Sequence, residues 1–359
     1  MIVMDVAGRV ARLRERFEGI DALLVTRLGN IRYLTGFTGS AARLLVRRDE
    51  LLFVTDGRYR DQSAQQLATA GVEARIAVSA TDQQAILTTA TDGIGRLGLE
   101  ADDVTWGAQR AYASSFTAEL VATHGLVEGL RLVKDDGEIA RIEEAARIAD
   151  AGLARVRPRL GDGITEKEFQ LELDHMMRQL GAADVSFETI VASGPNGAKP
   201  HHRPSERRIV EGDLVVLDFG ALVDGYHSDI SRTVMVGTPS ATQARMLEVV
   251  AAAQAAGLDA VAPGIAGVEV DRVCRDLIAA AGWGHAFLHG TGHGVGLDIH
   301  EDPRVSTTSA ATLAAGHVVT VEPGVYLPEH GGVRIEDTLV VTPTGSRRLT
   351  NAPKDPHLS

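Results

Sequence analysis

The first third of the chain alternates short apolar runs with longer polar stretches. The runs at Ala22–Thr26, Arg43–Val46 and Glu50–Thr55 have the length and the aliphatic side chains of buried strands. The more polar stretch Tyr59–Ala70 is typical of a helix. Strands that alternate with helices predict an α/β arrangement for this part of the chain.

The apolar pattern breaks at residues 132–137 and resumes as a long predicted helix. We therefore place a domain boundary near Lys134, which gives domains 1–133 and 134–359. Three further helices are predicted at Thr165–Leu180, Ala241–Ala262 and Gly267–Ala281, each followed by glycine or proline signals. The first of them begins with a threonine followed three residues later by a glutamate, as in a capping box. The rest of the second domain is predicted to form hairpins.

Composition narrows the class of protein. A chain of 359 residues exceeds the size at which one core normally stops growing, which favours two domains. No apolar run approaches the roughly 20 residues of a membrane span, and residues 1–16 lack the pattern of a secretory leader, so we expect a soluble, cytoplasmic protein. The net charge of −12 argues against a nucleic-acid partner. Cys274 is the only cysteine, which excludes an internal disulfide and a thiolate metal cluster.

One segment of the second domain occurs twice. Residues 211–220 (EGDLVVLDFG) align with residues 315–324 (AGHVVTVEPG), which places Asp218 over Glu322. Each copy has a turn glycine, an apolar strand and an acid shortly before a closing glycine. An unpaired buried carboxylate is costly, so the same acid in two buried strands needs an explanation.

A hairpin is predicted after the first copy. Asp224-Gly225 is a strong turn signal, and residues 229–236 are expected to return antiparallel. We expect Asp218 and Asp229 to lie at about the same level of this hairpin, close enough to share a cation.

The second copy is predicted to form a similar hairpin. The loop 328–332 leads to a returning strand at 333–341, and Glu322 and Glu336 are equidistant from Glu329. Four carboxylates that converge in a cleft would raise one another's pKa unless cations neutralised them. The two hairpins therefore predict a site for two divalent ions.

A glycine-rich segment is expected to supply the nitrogen ligand. His289–His300 contains too many glycines for a helix and is predicted to be a loop that presents histidines. Hard oxygen ligands with one imidazole favour manganese, cobalt or zinc. Two such ions activate water, which indicates metal-assisted hydrolysis.

Six segments together resemble the pita-bread metallopeptidases, in the branch of aminopeptidase P and prolidase. They are Pro200-His201-His202, Asp218-Phe-Gly220, residues 227–233 (HSDISRT), residues 289–300 (HGTGHGVGLDIH), residues 321–324 (VEPG) and residues 331–337 (GGVRIED). The resemblance implies an α/β (α+β) fold: an N-terminal creatinase-like domain followed by a pita-bread domain with an internal pseudo-twofold repeat.

The same resemblance implies roles for individual residues. Two divalent ions per subunit would be held, with manganese the expected metal and cobalt or zinc the alternatives. Glu322 would also take a proton from the attacking water, and Arg334 would brace the site. Three histidines would surround the substrate, namely His201, His289 and His300. The implied metal ligands are Asp218, Asp229, His293, Glu322 and Glu336.

The N-terminal domain is similar to that of aminopeptidase P at residues 33–40 (YLTGFTGS) and 55–59 (TDGRY). This likeness implies a homodimer or a dimer of dimers. The expected function is an Xaa-Pro aminopeptidase that acts on proline-containing peptides. A prolidase, which cleaves only Xaa-Pro dipeptides, shares every one of these motifs and is the alternative. A non-catalytic peptide-binding module is a remote alternative, because such proteins usually lack part of the ligand set.

Overall fold

The computed structural model describes residues 2–358. Two units can be separated, one of which is Met4–Arg131 and the other residues 132–358 together with residues 2 and 3. Within the described residues no helix combines the length and the apolar character that a membrane crossing requires.

The N-terminal unit contains a six-stranded sheet in the order β4-β3-β2-β1-β5-β6. Its pairs β1–β2 and β2–β3 are antiparallel, and the other three pairs are parallel. The strands are β1 (Ala22–Val25), β2 (Ala42–Arg47), β3 (Leu51–Thr55), β4 (Arg75–Val78), β5 (Arg96–Glu100) and β6 (Glu119–Thr123). The helices are α1 (Arg9–Glu15), α2 (Leu28–Thr35), α3 (Arg60–Thr69), α4 (Gln83–Ala90), α5 (Trp106–Ser115) and α6 (Glu128–Arg131).

The predicted strands of this unit are confirmed as β1, β2 and β3, and the predicted helix is confirmed as α3. The predicted and observed ends of these elements differ by no more than one residue. The aliphatic side chains Leu24, Leu45 and Leu97 come from different strands and are completely buried, which explains the unbroken apolar runs.

Four long helices form the frame of the second unit. They are α7 (Asp136–Val156), α8 (Glu166–Gln179), α9 (Ala241–Ala260) and α10 (Gly267–Ala280). Capping boxes start α7, α8 and α9, in which Asp135, Thr165 and Ser240 accept hydrogen bonds from the first turn. The predicted helices are thus confirmed, including the capping box at Thr165.

The strands of this unit form four sheets with the orders β11-β10-β7, β12-β9-β8, β14-β13-β15-β18-β19 and β16-β17. The first strands are β7 (Asp184–Val185), β8 (Ile190–Ser193), β9 (Leu214–Phe219), β10 (Ala221–Val223), β11 (Tyr226–His227) and β12 (Ile230–Met235). The later ones are β13 (Gly292–Gly294), β14 (Glu301–Val305), β15 (Val318–Val321), β16 (Gly324–Leu327), β17 (Gly331–Arg334), β18 (Asp337–Thr342) and β19 (Gly345–Arg348).

The predicted internal repeat is visible as two similar cores. In the first, α7 packs on α8, and Leu173 is buried with Leu217 of β9. In the second, α9 packs on α10, and Val250 is buried with Val319 of β15. Each core therefore joins a helix pair to one copy of the repeated strand.

The first repeat hairpin has a register that differs from the prediction. Asp218 pairs with Ser231, so Asp229 does not lie opposite Asp218. The reason is a tight turn: Val223 pairs with Tyr226 across a two-residue loop, so the hairpin is centred later in the chain than assumed. Asp229 precedes β12 and is a diagonal neighbour of Asp218 when this register is continued.

The second repeat hairpin has the predicted register. Val321 pairs with Asp337, and Gly324 pairs with Arg334, which leaves Glu322 and Glu336 facing each other. The predicted continuous strand at 333–341 is wrong, because β17 ends and β18 begins on either side of residues 335–336. This interruption is where Glu336 lies.

Candidate metal centre

One cavity of about 610 Å³ in the second unit brings together every site residue predicted from the sequence. Its wall combines carboxylates, imidazoles and a buried guanidinium. The predicted residues that line it are His201, Asp218, Asp229, His289, His293, His300, Glu322, Arg334 and Glu336.

Three of these side chains converge most tightly. Ligand atoms of Asp229, His293 and Glu336 all lie within 4.8 Å of one another. Nε2 of His293 is 3.5 Å from Asp229 Oδ2 and 3.5 Å from Glu322 Oε1. These separations are long for hydrogen bonds, and the atoms suit a cation placed among them. Asp218 and Glu322 line the same cavity without belonging to the tight group.

His293 is held in the form that binds metals. Its Nδ1–H donates to the carbonyl oxygen of Gly294 at 2.9 Å, which leaves the Nε2 lone pair directed at the carboxylates. Burial lowers the pKa of His293 to about 3, so the ring is neutral. A neutral imidazole oriented through its second nitrogen is the usual arrangement of a histidine ligand.

His293 lies in the short strand β13, not in the predicted loop, although the segment is indeed not helical. The reason lies in its neighbours Gly292 and Gly294. A Cβ at these positions would come within 2.0 Å of the Thr320 carbonyl oxygen and 2.3 Å of the Asp302 carbonyl oxygen. Glycine therefore permits β13 to fit between β14 and β15.

The carboxyl groups carry the electrostatic signature of a cation site. Burial raises the pKa of Glu322 to about 8, and burial together with the neighbouring acids raises the pKa of Asp229 and Glu336 well above their usual values. Buried oxygens Oδ1 of Asp218 and Oε1 of Glu336 have no hydrogen-bond partner among residues 2–358. Orphaned buried acceptors are rare, and a divalent cation would satisfy both. The residues present therefore fit metal ions.

Arg334 braces this group from one side. It is buried, and its Nη2 donates to Asp218 Oδ2 at 2.6 Å while Nε donates to Ser231 Oγ at 2.9 Å. Ser231 in turn donates to Glu336 Oε2 at 2.9 Å. The guanidinium thus holds one oxygen of Asp218 directly and one oxygen of Glu336 through Ser231, and leaves the other oxygen of each without a partner among residues 2–358.

We expect Arg334→Met to lower the free energy of unfolding of the chelator-treated protein by about 3–5 kcal/mol, because it breaks a buried ion pair. Urea denaturation measures the change. Arg347→Met is the control, since that arginine pairs with Glu143 at the surface, where the expected change is below about 1 kcal/mol. Equal small effects of both substitutions would contradict the bracing role.

His289 is oriented by a tyrosine that the sequence analysis missed. Its Nδ1–H donates to the Gly290 carbonyl oxygen, and its Nε2 accepts from the Tyr326 hydroxyl, both at 2.8 Å. Burial lowers the pKa of His289 to about 4, which keeps the ring neutral. Tyr326 also accepts from Arg334 at 2.8 Å. Both ring nitrogens of His289 are therefore hydrogen-bonded within the protein. The only sequence signal for Tyr326 is that it follows shortly after Glu322, the acid of the second repeat copy.

His201 and His300 occupy a different environment. His201 is exposed on the cavity wall. The ring of His300 meets the ring of His293 edge to face, with centroids 4.4 Å apart. Burial and the nearby Arg304 lower the pKa of His300, so it is neutral near pH 7. These two imidazoles are the ones placed to meet a molecule in the cavity.

The chain belongs to the metallopeptidase family M24, whose family model matches residues 140–343. A second model, the creatinase/prolidase N-terminal domain, matches residues 9–133.

Relatives of known description agree with this family. The structure of an Xaa-Pro dipeptidase from Bacillus anthracis is 41% identical, with a TM-score of 0.95 over 98% of this chain and 99% of that one. An Xaa-Pro dipeptidase of Pyrococcus horikoshii is 36% identical over 94% of both chains. An X-Pro aminopeptidase structure from Thermotoga maritima is 34% identical, with a TM-score of 0.88 over 95% and 98% of the two chains. The protein is therefore similar to both kinds of Xaa-Pro peptidase over nearly its whole length.

Proposed function

We propose that the protein hydrolyses the bond between an N-terminal residue and a following proline, and that Xaa-Pro dipeptides are its preferred substrates. The observation that carries the reaction class is the convergence of four acids and one neutral histidine in a single cavity. The dipeptide preference differs from the aminopeptidase that we expected from the sequence. It is supported by two of the relatives, the 41% identical structure from Bacillus anthracis and the 36% identical protein of Pyrococcus horikoshii, which are both described as Xaa-Pro dipeptidases.

The ligand set proposed for two divalent ions is Asp218, Asp229, His293, Glu322 and Glu336. Ions bound there supply a Lewis acid and lower the pKa of water. The chain's own contribution is to hold these side chains in place: Arg334 and Ser231 fix the acids, and Gly294 fixes the histidine. Manganese is the expected metal, with cobalt and zinc as alternatives.

Glu322 is the proposed proton carrier. Its side chain lines the cavity and is 18% exposed, compared with 6% for Asp229. It accepts a proton from the attacking water, whose oxygen bonds to the scissile carbonyl carbon. The carbon–nitrogen bond then breaks, and the proton passes to the proline nitrogen. His201 and His300 face the cavity and can donate N–H groups to the oxygen that becomes negative.

The dipeptide preference has a structural rationale at Arg304. This arginine lines the cavity and its side chain is 51% exposed, with the Asp302 carboxylate 3.9 Å away. In an Xaa-Pro dipeptide the proline after the scissile bond ends in a free carboxylate, whereas in a longer peptide the same carbonyl carbon is part of an amide. A guanidinium binds a carboxylate with charge-assisted hydrogen bonds and therefore favours the dipeptide.

The test is a competition between an Ala-Pro dipeptide and an Ala-Pro-Ala peptide with a blocked C-terminus, with manganese-loaded protein and mass-spectrometric detection. We expect metal-dependent release of alanine from the dipeptide first. Faster cleavage of the longer peptide would assign the aminopeptidase activity instead, which the Thermotoga maritima structure makes the second candidate. Cleavage of neither, also with cobalt or zinc, would favour a binding module.

Arg304→Ala provides the residue-level check. We expect KM for the dipeptide to rise about tenfold or more, because a charge-assisted contact is lost, and KM for the blocked peptide to stay within about twofold. Arg272→Ala is the control, since that arginine is exposed on α10 and pairs with Glu269. A parallel rise for both peptides would show that Arg304 does not recognise the carboxylate.

A further inference from the structure

A buried carboxylate outside the metal group lies at the start of α8. The side chain of Glu166 is inaccessible to solvent, and it accepts hydrogen bonds from four residues around it. The backbone N–H and hydroxyl of Ser193 donate at 2.8 and 2.6 Å, and those of Ser205 at 3.0 and 2.6 Å. The Asn196 amide and His202 Nε2–H add bonds of 3.1 and 2.9 Å.

This carboxylate is ionised in spite of its burial. Burial opposes the charge, but the hydrogen bonds from Ser193 and Ser205 hold the pKa of Glu166 at about 2. Its place in the first turn of a 14-residue helix adds the favourable field of the helix N-terminus. Glu166 therefore stays charged well into the acidic range.

Along the chain, the hydrogen-bond partners of Glu166 lie both before and after His201, a histidine that faces the cavity. His202 and Ser205 belong to the segment 199–205, which also contains His201. Both His201 and His202 line the cavity, but the His202 side chain is only 13% exposed and bonds to Glu166, whereas His201 is exposed. Two further bonds hold the same backbone: Lys167 N–H donates to the Ser205 carbonyl oxygen, and Arg334 Nη1 donates to that of Pro200.

We propose that Glu166 is a positioning residue that holds segment 199–205 so that His201 projects into the cavity. In this proposal His202 connects Glu166 to the neighbouring His201 and takes no direct part in the chemistry. The proposal rests on the proposed function only in that His201 acts on the substrate. Glu166 acts through geometry, because it does not itself line the cavity and its hydrogen bonds go to Ser193, Asn196, His202 and Ser205, none of which is a predicted metal ligand.

The first test requires no activity. Glu166→Gln keeps the size of the side chain but turns an amide toward donors, which leaves them unsatisfied. We expect hydrogen–deuterium exchange of a peptide covering residues 199–206 to become at least about tenfold faster, while exchange of β9 stays unchanged. Glu172→Gln is the matched control, since this residue lies on the same helix and pairs with Arg159 at the surface. Unchanged exchange in segment 199–206 would overturn the proposal.

The second test is a double-mutant cycle with His201→Ala. Alone, Glu166→Gln is expected to lower kcat/KM for Ala-Pro about tenfold or more with unchanged metal content. In the His201→Ala background, the same substitution is expected to change kcat/KM by less than about twofold, because the residue it positions is absent. Equal losses in both backgrounds would show that Glu166 supports the fold in general, and would overturn the positioning role.

A gentler variant covers the case in which Glu166→Gln does not fold. Ser205→Ala removes the hydrogen bond from the Ser205 hydroxyl to Glu166 but keeps the one from the backbone N–H of residue 205. We expect the same pattern at a smaller size, and its absence would contradict the proposal. Failure of the proposed function is recognisable separately, because the wild-type protein would then cleave no Xaa-Pro peptide, while the exchange experiment still decides whether Glu166 anchors the segment.

Discussion

Glu322→Gln is expected to lower kcat for Xaa-Pro hydrolysis about a thousandfold or more in metal-loaded protein. A general acid–base group contributes about 10²–10⁴-fold, and this residue is also a proposed metal ligand. The amide of glutamine can neither accept the proton of water nor bind a cation as strongly. Steady-state kinetics with an Ala-Pro dipeptide measure the loss, and metal content measured by mass spectrometry separates lost ligation from lost proton transfer.

Glu329→Gln is the matched control for this experiment. Glu329 is exposed at the tip of the same hairpin, midway between Glu322 and Glu336. The chemical change is identical, but the residue lies outside the cavity, so activity should remain within about twofold of wild type. Turnover of Glu322→Gln at the wild-type rate would refute the assignment of Glu322 as ligand and proton carrier.

The part of the site that the sequence predicted well is the part that strand periodicity controls. The sequence analysis placed Glu322 opposite Glu336, and the structure has this register. In an antiparallel hairpin, residues equidistant from the centre of the turn lie opposite each other. The same counting failed by two residues for Asp218 and Asp229. A two-residue loop at Asp224-Gly225 places Val223 opposite Tyr226 and hence Asp218 opposite Ser231, whereas the expectation centred the hairpin one residue too early.

The residues that sequence reasoning missed act through contacts between distant segments. Tyr326 reaches His289, 37 residues before it in the chain, and Glu166 reaches His202, 36 residues after it. Neither contact follows from the periodicity of one element, since each depends on how loops fold over the sheets. The sequence therefore indicated the histidines, the acids and Arg334, but not Tyr326 and Glu166, which contact histidines far away in the chain.

Loading with metal is expected to raise the unfolding temperature of the protein strongly, and more so at higher pH. In the metal-free folded state the pKa of Glu322 is raised to about 8 from a usual 4.5, and the pKa values of Asp229 and Glu336 are also raised. At these acids the folded state binds more protons than the unfolded state, whereas buried histidines such as His289 and His293, with pKa values lowered from 6.5 to about 4 and about 3, have the opposite effect below about pH 6.5. Between about pH 6.5 and about pH 8 the histidines are neutral in both states, so the acids set the sign and the free energy of unfolding of the metal-free protein must fall as pH increases.

Metal ions reverse this dependence. Their ligands must be deprotonated, so ions bind more weakly as pH falls, and activity should decrease in mild acid. His293 does not limit binding, because its pKa of about 3 keeps it neutral throughout. At a thousandfold excess over Kd each ion adds about 4 kcal/mol to the free energy of unfolding. The stability curves of loaded and metal-free protein should thus separate as pH increases.

Scanning calorimetry between about pH 5.5 and pH 8, with manganese or with a chelator, measures this separation. Asp229→Asn is the informative variant, because it removes one of the three most closely grouped ligands and should abolish most of the metal-induced increase. A metal-induced shift that is independent of pH would argue that the ions bind elsewhere. A metal-free protein that becomes more stable from about pH 6.5 to about pH 8 would contradict the buried, mutually repelling carboxylates from which the site has been inferred.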